Sequence, residues 1–468
     1  MEGIMTDQTA PEPVFKFSPY VPYDPTERTV YMSFVTTPHQ FGVQPYQFTG
    51  WRDESMSWKE NCYIHSNLNP TLTYRVKGPD AAKLVSGLIV NTFNNFPVGK
   101  GKHAIICNKD GFVRQHGVLL RVGEDEYISC WLSPTIKYMT ETSKYDVVGE
   151  DLTGKVFLFQ LGGPRSLEIL EAATGECLHD IKFMHHRMSS IDGRKVRIVR
   201  MGMAGSLAYE AHGVIEDAIP VYNALLKAGK QFGLRKLGDV AYAMTHWENG
   251  FAQGIMDFPY AWYDDKDFLD YVAKAGGKVG FNNVVFSGSM GTDISLRYRN
   301  PVELGYGAVI KLDHDFVGRE ALEKIVANPK RKMATLVWNV EDILDVCRSQ
   351  FEKGEPYAPI DAPMDYTFVG PYDYHADQVL KDGKVIGIST GRMNSYYYRD
   401  MISICSIDVE HSQLGNEVTV LWGNPGTRQK EIRATVSRYP YLNENRNEKL
   451  DVSTIPCVHA KAKEPALT

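Results

Sequence analysis

The 468-residue sequence has no apolar run near the ~18 residues that a membrane-crossing helix needs. Its longest candidates, such as Leu84 to Val90, have core-segment length, so no membrane association is expected. The first residues, Met1 to Asp7, carry neither a basic stretch nor an apolar one, and no secretory signal is read there. A basic excess is also missing. Lys and Arg number 51 against 57 Asp and Glu, a formal charge of −6, which argues against a dedicated nucleic-acid binder. The seven cysteines (Cys62, Cys107, Cys130, Cys177, Cys347, Cys405 and Cys457) are odd in number and scattered, with no C-x-x-C. That pattern fits reduced thiols in the cytoplasm better than a disulfide framework or a zinc site.

Nucleotide and hydrolase signatures are equally scarce. There is no G-x-x-x-x-G-K-[ST] loop, no G-x-G-x-x-G after a strand and no H-E-x-x-H. Gly288-Ser289-Met290-Gly291 resembles half a nucleophile elbow, but Phe286 and Ser287 break the motif. His185-His186 are adjacent and point apart on regular structure. These absences disfavour nucleotide hydrolysis, hydride transfer, serine hydrolysis and zinc chemistry, and no metal is expected.

Aromatics are plentiful: 26 Tyr, 20 Phe and 7 Trp. Tyr242, His246, Trp247, Phe258, Tyr260, Trp262 and Tyr263 crowd one stretch, and Tyr396-Tyr397-Tyr398-Arg399 forms another cluster. Such residues fill cores, and they also line pockets for flat ligands. Local patterning repeats as well. Leu72 to Val76 alternates like a strand, meets Gly78-Pro79-Asp80, and continues at helical spacing through Leu84, Val85 and Leu88. Val156 to Leu161, Gly162-Gly163-Pro164 and Leu167, Ile169, Leu170 repeat that order, with a fainter echo at Phe316 to Leu322. Beyond the charged break Lys330-Arg331-Lys332 the chain becomes β-rich, with an Asp382-Gly383 hairpin turn and strand candidates at Met333 to Trp338, Met401 to Ile407, Glu417 to Trp422 and Glu431 to Val436. Repeated α+β units followed by a small barrel or sandwich are expected.

Asn300 to Gly307, continuing through Leu322, resembles the glycine-cleavage aminomethyltransferase (T-protein) superfamily. So do Gly78-Pro79-Asp80-Ala81, Phe159 to Pro164, Gly202 to Gly205, Trp247-Glu248-Asn249-Gly250 and Gly387 to Gly391. The likeness is nearest to the branch of bacterial tetrahydrofolate-dependent O-demethylases of lignin-derived aromatic acids. It covers most of residues 50 to 440. It implies an α+β cloverleaf of two interleaved α+β subdomains plus a C-terminal β-barrel. The division is an N-terminal arm (1–50), a catalytic region (51–330) and a barrel domain with tail (331–468).

The resemblance implies that Glu210 grips a pterin and that Tyr242 lies near a transferred methyl group. Two positions depart from the pattern. Ser66-Asn67-Leu68-Asn69-Pro70 stands where a D-x-[ST]-H-like segment is expected, and His116 stands where a carboxylate is expected. A protonated imidazole there would reverse the local electrostatics. The first expectation is therefore a cofactor-independent lyase that releases formaldehyde from the hydroxymethyl group of a lignin-derived phenolic dimer, leaving a stilbene-type product. His116 is assigned acid/base work, Tyr242 the phenol end, and Arg114 or Glu210 orientation. His65, Asn67, Asn69, Gln115, His246, Trp247, Tyr260, Trp262 and Tyr397 are the expected lining for the aromatic substrate. The alternatives are a tetrahydrofolate-dependent O-demethylase and a non-catalytic aromatic- or folate-binding protein. A homodimer is the default oligomer.

Overall fold

The computed structural model describes residues 16–17, 27–37, 40–263, 265–274, 284–360, 362–365 and 372–459. The Gly-Pro units close in one way. Strand Thr73–Lys77 enters Gly78 at φ +141°, and strand Val156–Gly162 enters Gly163 at φ +133°. Helices Ala81–Ser86 and Ser166–Thr174 follow them. A Cβ on either glycine would lie 2.5 Å from a backbone carbonyl oxygen, that of Asp146 or of Asn61. Those carbonyls accept the amides of Asp80 at 3.3 Å and Arg165 at 2.9 Å. Only a residue without a side chain can turn there while the neighbouring backbone comes so close. Gly318, at φ +86° and against the Asn108 carbonyl, repeats the device before helix Arg319–Ala327. The recurrence in sequence is thus a recurrence of backbone geometry.

Two sheets carry the first half of the chain. One has six strands in the order His186–Ile191, Arg194–Val199, Ala208–Val214, Val156–Gly162, Cys62–His65 and Leu234–Lys236. The other has five: Gly101–Cys107, Val113–Gly123, Glu126–Cys130, Thr73–Lys77 and Val148–Asp151. Each buries an apolar outer face under helices. Ile64, Phe157, Phe159, Leu161, Tyr209 and Ala211 pack with helical Leu167, Leu170, Val221 and Leu225. Tyr74, Val76, Ala104, Ile106, Leu119 and Tyr127 pack with Leu84, Val85 and Ile136. Side chains alternate along a strand, so the residues between these belong to the opposite faces.

Those opposite faces meet a third body, the helix Asp239–Asn249, in which every residue except Tyr242 is buried. It begins at Gly238, where a Cβ would strike the Tyr46 carbonyl, and stops at Gly250 in the left-handed conformation, φ +69°. Val240, Met244 and Trp247 share a core with Ile105, Cys107 and Val113 of the five-stranded sheet and with Met393, Ile402 and Ile404 of the C-terminal half.

The C-terminal half is a closed six-stranded barrel in the order Arg331–Trp338, Asp400–Asp408, Lys384–Ser395, Asp377–Lys381, Glu417–Trp422 and Lys430–Ser437. Asp382 and Gly383, both at positive φ, make the expected hairpin turn. The charged break at Lys330 runs straight into the first barrel strand, where Arg331 pairs with Asp408. Mixed helices and strands with a terminal barrel are the architecture that the sequence leads one to expect. Two features are additional. Within the segment read as an arm, Val30–Thr37 and Gln40–Gln47 form an antiparallel pair; residues 1–15, 18–26 and 38–39 of that arm lie outside the described residues. The chain also returns after the barrel to the half that carries the two sheets. The Leu442 amide bonds to Glu248 O at 2.7 Å, and Arg200 donates to Asn447 and Leu450. Among the described residues no helix is long and apolar enough to cross a membrane.

Candidate active site

The inner face of the six-stranded sheet is polar where its outer face is not. Gln160 is in register with His65 on one side and Glu210 on the other, so three polar side chains form one row across three strands. All three are buried. Burying them without partners would cost several kcal/mol in total at ~1–3 kcal/mol each, and the row is accordingly networked. Gln160 Nε2 donates to Glu210 Oε1 at 2.9 Å, and the Tyr63 hydroxyl donates to Gln160 Oε1 at 2.6 Å. His212 Nε2 donates to Glu210 Oε2 at 2.9 Å.

Tyr242 closes over this row from the central helix. Its ring stacks on His65 at 3.8 Å between centroids and 9° between planes. Its hydroxyl meets the Gln160 side chain. Burial, with the nearby Glu210 and Asp239 charges, drives the phenol pKa well above the ordinary value. Tyr242 therefore keeps its proton and is a hydrogen-bond donor across the physiological range. His65 is the opposite case. Its Nδ1 faces the Leu237 carbonyl at 3.0 Å, so the proton resides on Nδ1 and Nε2 is an acceptor. Burial holds the imidazole neutral, with a pKa of about 3, and Nε2 has no partner among the described residues.

His116 and His103 occupy the inner face of the second sheet. The Gly254 amide donates to His116 Nε2 at 3.0 Å. Nδ1 must then carry the proton, which it donates to His103 Nε2 at 2.9 Å. Burial pushes the His116 pKa well below 6.5, and His103 and His246 push it further. This corrects the electrostatic argument made from sequence: the imidazole is neutral and places no positive charge in the site. Both its nitrogens are spent, so shuttling a proton would first require breaking one of these bonds. Phe251 and Tyr306 pack beside the pair, with Phe251 at 5.1 Å from His103 and Tyr306 at 4.8 Å. On the far side Phe251 reaches His246, 6.0 Å away, and His246 meets Tyr242 at 4.9 Å. A continuous band of flat rings thus joins the two sheets.

Of the residues expected at the site, His65, Glu210, Tyr242 and His246 come together, with His116 on the opposite wall. Arg114 shares the face of His116. It gives Nη1 to Asp265 at 2.6 Å, lies 4.4 Å over Phe268, and among the described residues leaves Nε and Nη2 without partners. Gln115 points the other way, bonded to Ser133 O and the Thr135 amide. Asn67 is bound to Pro45 O and Asp239, and Asn69 clamps the backbone at Ser66 and Leu158 with both ends of its amide. These last three have their hydrogen bonds spent on the protein. Trp247 is fully buried and donates to Asp257 at 2.9 Å. Tyr260 and Trp262 are buried neighbours at 4.9 Å. Tyr397 is 46% exposed, over Lys59. Gln160, Tyr63, His103, His212, Phe251 and Tyr306 belong to the site and were not anticipated. Gln160 had a legible signal, as the single polar residue in Val156 to Leu161.

The buried histidines have a measurable consequence. His103, His186 and His246 have pKa values of about 4, His65 about 3, and His116 lies well below its ordinary value. Burial is the leading cause in each. An imidazole depressed in the fold is protonated in the unfolded chain below about 6.5. Stability is therefore fully present above that pH and is lost as pH falls towards 4. Asp239, raised to about 8, and Asp257, raised to about 7, act with the opposite sign over the same window. The imidazoles outnumber these two carboxyls, so the unfolded chain takes up protons near pH 5. The thermal midpoint is expected to fall steeply between pH 6.5 and 4.5, and a level midpoint in a buffer series would refute the protonation states given above.

Comparison with known proteins places this geometry. Residues 28–258 match the family described as the GCVT N-terminal domain. The sesamin methylene transferase of Sinomonas sp. (strain No.22) is 45% identical over 425 residues, spanning 89% of this chain and 94% of that protein. The syringate O-demethylase of Sphingobium sp. (strain NBRC 103272 / SYK-6) is 30% identical over 439 residues, spanning 87% and 91%. The crystal structure of aminomethyltransferase T of the glycine cleavage system from Bartonella henselae superposes with a TM-score of 0.66 at 14% identity, over 92% of this chain and 99% of that one, and shares the fold. These findings overturn the expectation of a reaction without a cofactor. A group transfer needs an acceptor for the carbon, and the acceptor that the family resemblance implies is tetrahydrofolate.

Proposed function

The chain belongs to the GCVT aminomethyltransferase family, and on that footing we propose that it is a tetrahydrofolate-dependent one-carbon transferase acting on an aromatic ether. The donor carbon is a methylenedioxy bridge or an aryl methoxy group. The methylenedioxy compound is ranked first because the methylene transferase is the more similar relative, 45% against 30%. The formaldehyde-releasing lyase gives way to this reading, which both relatives support better.

The observation that carries the proposal is the row His65–Gln160–Glu210 with Tyr242 above it, a polar network on a sheet whose other face is apolar. The donor set fits a reduced pterin, a ring with several N–H groups. Glu210 is a buried carboxylate, and His65 Nε2, Asn249 Oδ1 and Gln253 Oε1 are buried acceptors without partners. Glu210, oriented by Gln160 Nε2, would hold the N–H edge of the ring with the free lone pairs of its carboxylate, and Nε and Nη2 of Arg114 suit a carboxylate on the folate tail. Bound there, tetrahydrofolate would supply the amine nitrogen that accepts the carbon.

The other side chains act on the donor. Phe251, Tyr306 and the neutral imidazoles form flat walls that orient an aromatic ring and exclude water. Tyr242 is held in place by its stack on His65, and its hydroxyl hydrogen-bonds to the ether oxygen as that oxygen becomes a phenolate. His116 fixes the Gly254 turn and the His103 ring, and in this reading it positions the wall and does not exchange protons.

The test uses the purified chain with a methylenedioxy lignan and, separately, a methoxybenzoate, each with and without tetrahydrofolate. Free phenol and one-carbon-loaded folate are expected in equal amounts, and only when folate is present. Formaldehyde released in its absence would reinstate the lyase and overturn the proposal.

A further inference from the structure

We propose that Glu171, Cys177, His179 and Cys457 form a zinc(II) site that clips the C-terminal segment onto the helical face of the six-stranded sheet. One ligand atom from each lies within 4.8 Å of all the others. They come from three places: the helix Ser166–Thr174, the loop after it, and the tail beyond the short helix Val452–Thr454. The Cys457 and Cys177 sulfurs lie within 4.8 Å of each other. His179 Nε2 is 3.3 Å from Glu171 Oε1, yet this buried nitrogen has no hydrogen-bond partner among the described residues.

The surroundings hold these groups in place. Glu171 is fully buried. Its two carboxylate oxygens accept the amides of Leu178 and Val458, each at 2.9 Å, and its backbone carbonyl accepts from His459 Nε2 at 2.7 Å. One glutamate therefore fixes both segments that bear the other donors, and the two amides bonded to it are the outer hydrogen-bonding shell of that ligand. Cys177 is exposed and Cys457 half-buried, which leaves a route for the ion.

The donor chemistry selects the metal. Two thiolates, an imidazole and a carboxylate make a tetrahedral set for zinc, while calcium and magnesium take oxygen ligands. Zn–S near 2.3 Å and Zn–N near 2.0 Å require the donors to close in by about an ångström. On binding, the two thiols release their protons to solvent and His179 ligates through a nitrogen lone pair, giving a site of net charge −1.

The full-length chain, produced in zinc-supplemented medium and purified without chelator, is assayed by elemental analysis. About one zinc per chain is expected. It should be lost in Cys177→Ser and in Cys457→Ser and kept in Cys347→Ser, a half-buried cysteine outside the cluster. Cobalt(II) added to the stripped protein should give a thiolate-to-metal charge-transfer band that either variant abolishes. Cys177 is exposed, so its substitution leaves the fold intact and the readout interpretable. Absence of the metal and of the cobalt band, retention of zinc in both variants, or a Cys177–Cys457 disulfide in the isolated chain would each overturn the proposal.

Discussion

Tyr242→Phe is expected to lower kcat about 10²- to 10³-fold, the usual loss when one preorganised donor to a developing oxyanion is removed. Cleaving an aryl ether leaves negative charge on a phenolic oxygen. In water that charge is solvated; in a buried site a fixed donor must replace the solvent. Tyr242 qualifies because burial, Glu210 and Asp239 keep its hydroxyl protonated. Phenylalanine preserves the ring that stacks on His65 at 3.8 Å, so the walls of the site remain. The loss should consequently fall on kcat, with KM for the aromatic little changed. Steady-state release of phenol measures both. A variant that turns over near the parent rate would remove Tyr242 from the chemistry.

Glu210→Gln is expected to weaken tetrahydrofolate binding about 10- to 100-fold, since hydrogen bonds to a charged group contribute roughly 1.5–3 kcal/mol. The substitution removes the charge and sets an amide N–H against one of the two donors, Gln160 Nε2 and His212 Nε2, that now converge on the carboxylate. The effect should appear in calorimetric titration with folate and be smaller for the aromatic alone. Because the row is buried, the thermal midpoint is measured alongside. A variant that is folded and binds folate like the parent would show that Glu210 does not hold the pterin. The two variants thus separate the two halves of the proposed site, one failing in turnover and the other in cofactor affinity.

Much of the fold was legible from local pattern. The Gly78 and Gly163 turns were visible because strand, Gly-Pro and helix lie next to each other in sequence, and the physical cause, a glycine at positive φ under a neighbouring carbonyl, is local to the turn. The Asp382-Gly383 hairpin was visible for the same reason. The site was legible only in part. Tyr242 and Glu210 came from the family resemblance, and the structure sets them beside Gln160. Asn67, Asn69 and Gln115 carry the right chemistry for a ligand, but their hydrogen bonds go to the protein: Asn69 to Leu158, 89 residues away, and Gln115 to Ser133, 18 residues away. A sequence displays a side chain's capacity to hydrogen-bond and not what uses that capacity.

His116 shows this most sharply. From sequence it is an imidazole where a carboxylate was expected, and charge reversal follows if it is protonated. In the fold its two partners are Gly254, 138 residues away, and His103 on the adjacent strand, and burial keeps it neutral. The scattered cysteines carry the same lesson, since Cys457 reaches Cys177 only when the tail folds back onto Glu171. The sequence by itself determined the repeated α+β units, the barrel and the kinship, because alternation, turn residues and motif order are properties of neighbours along the chain. Only the tertiary structure decided protonation, spent hydrogen bonds and which distant side chains lie together. Those depend on desolvation and on partners that become neighbours once the sheets close around the central helix.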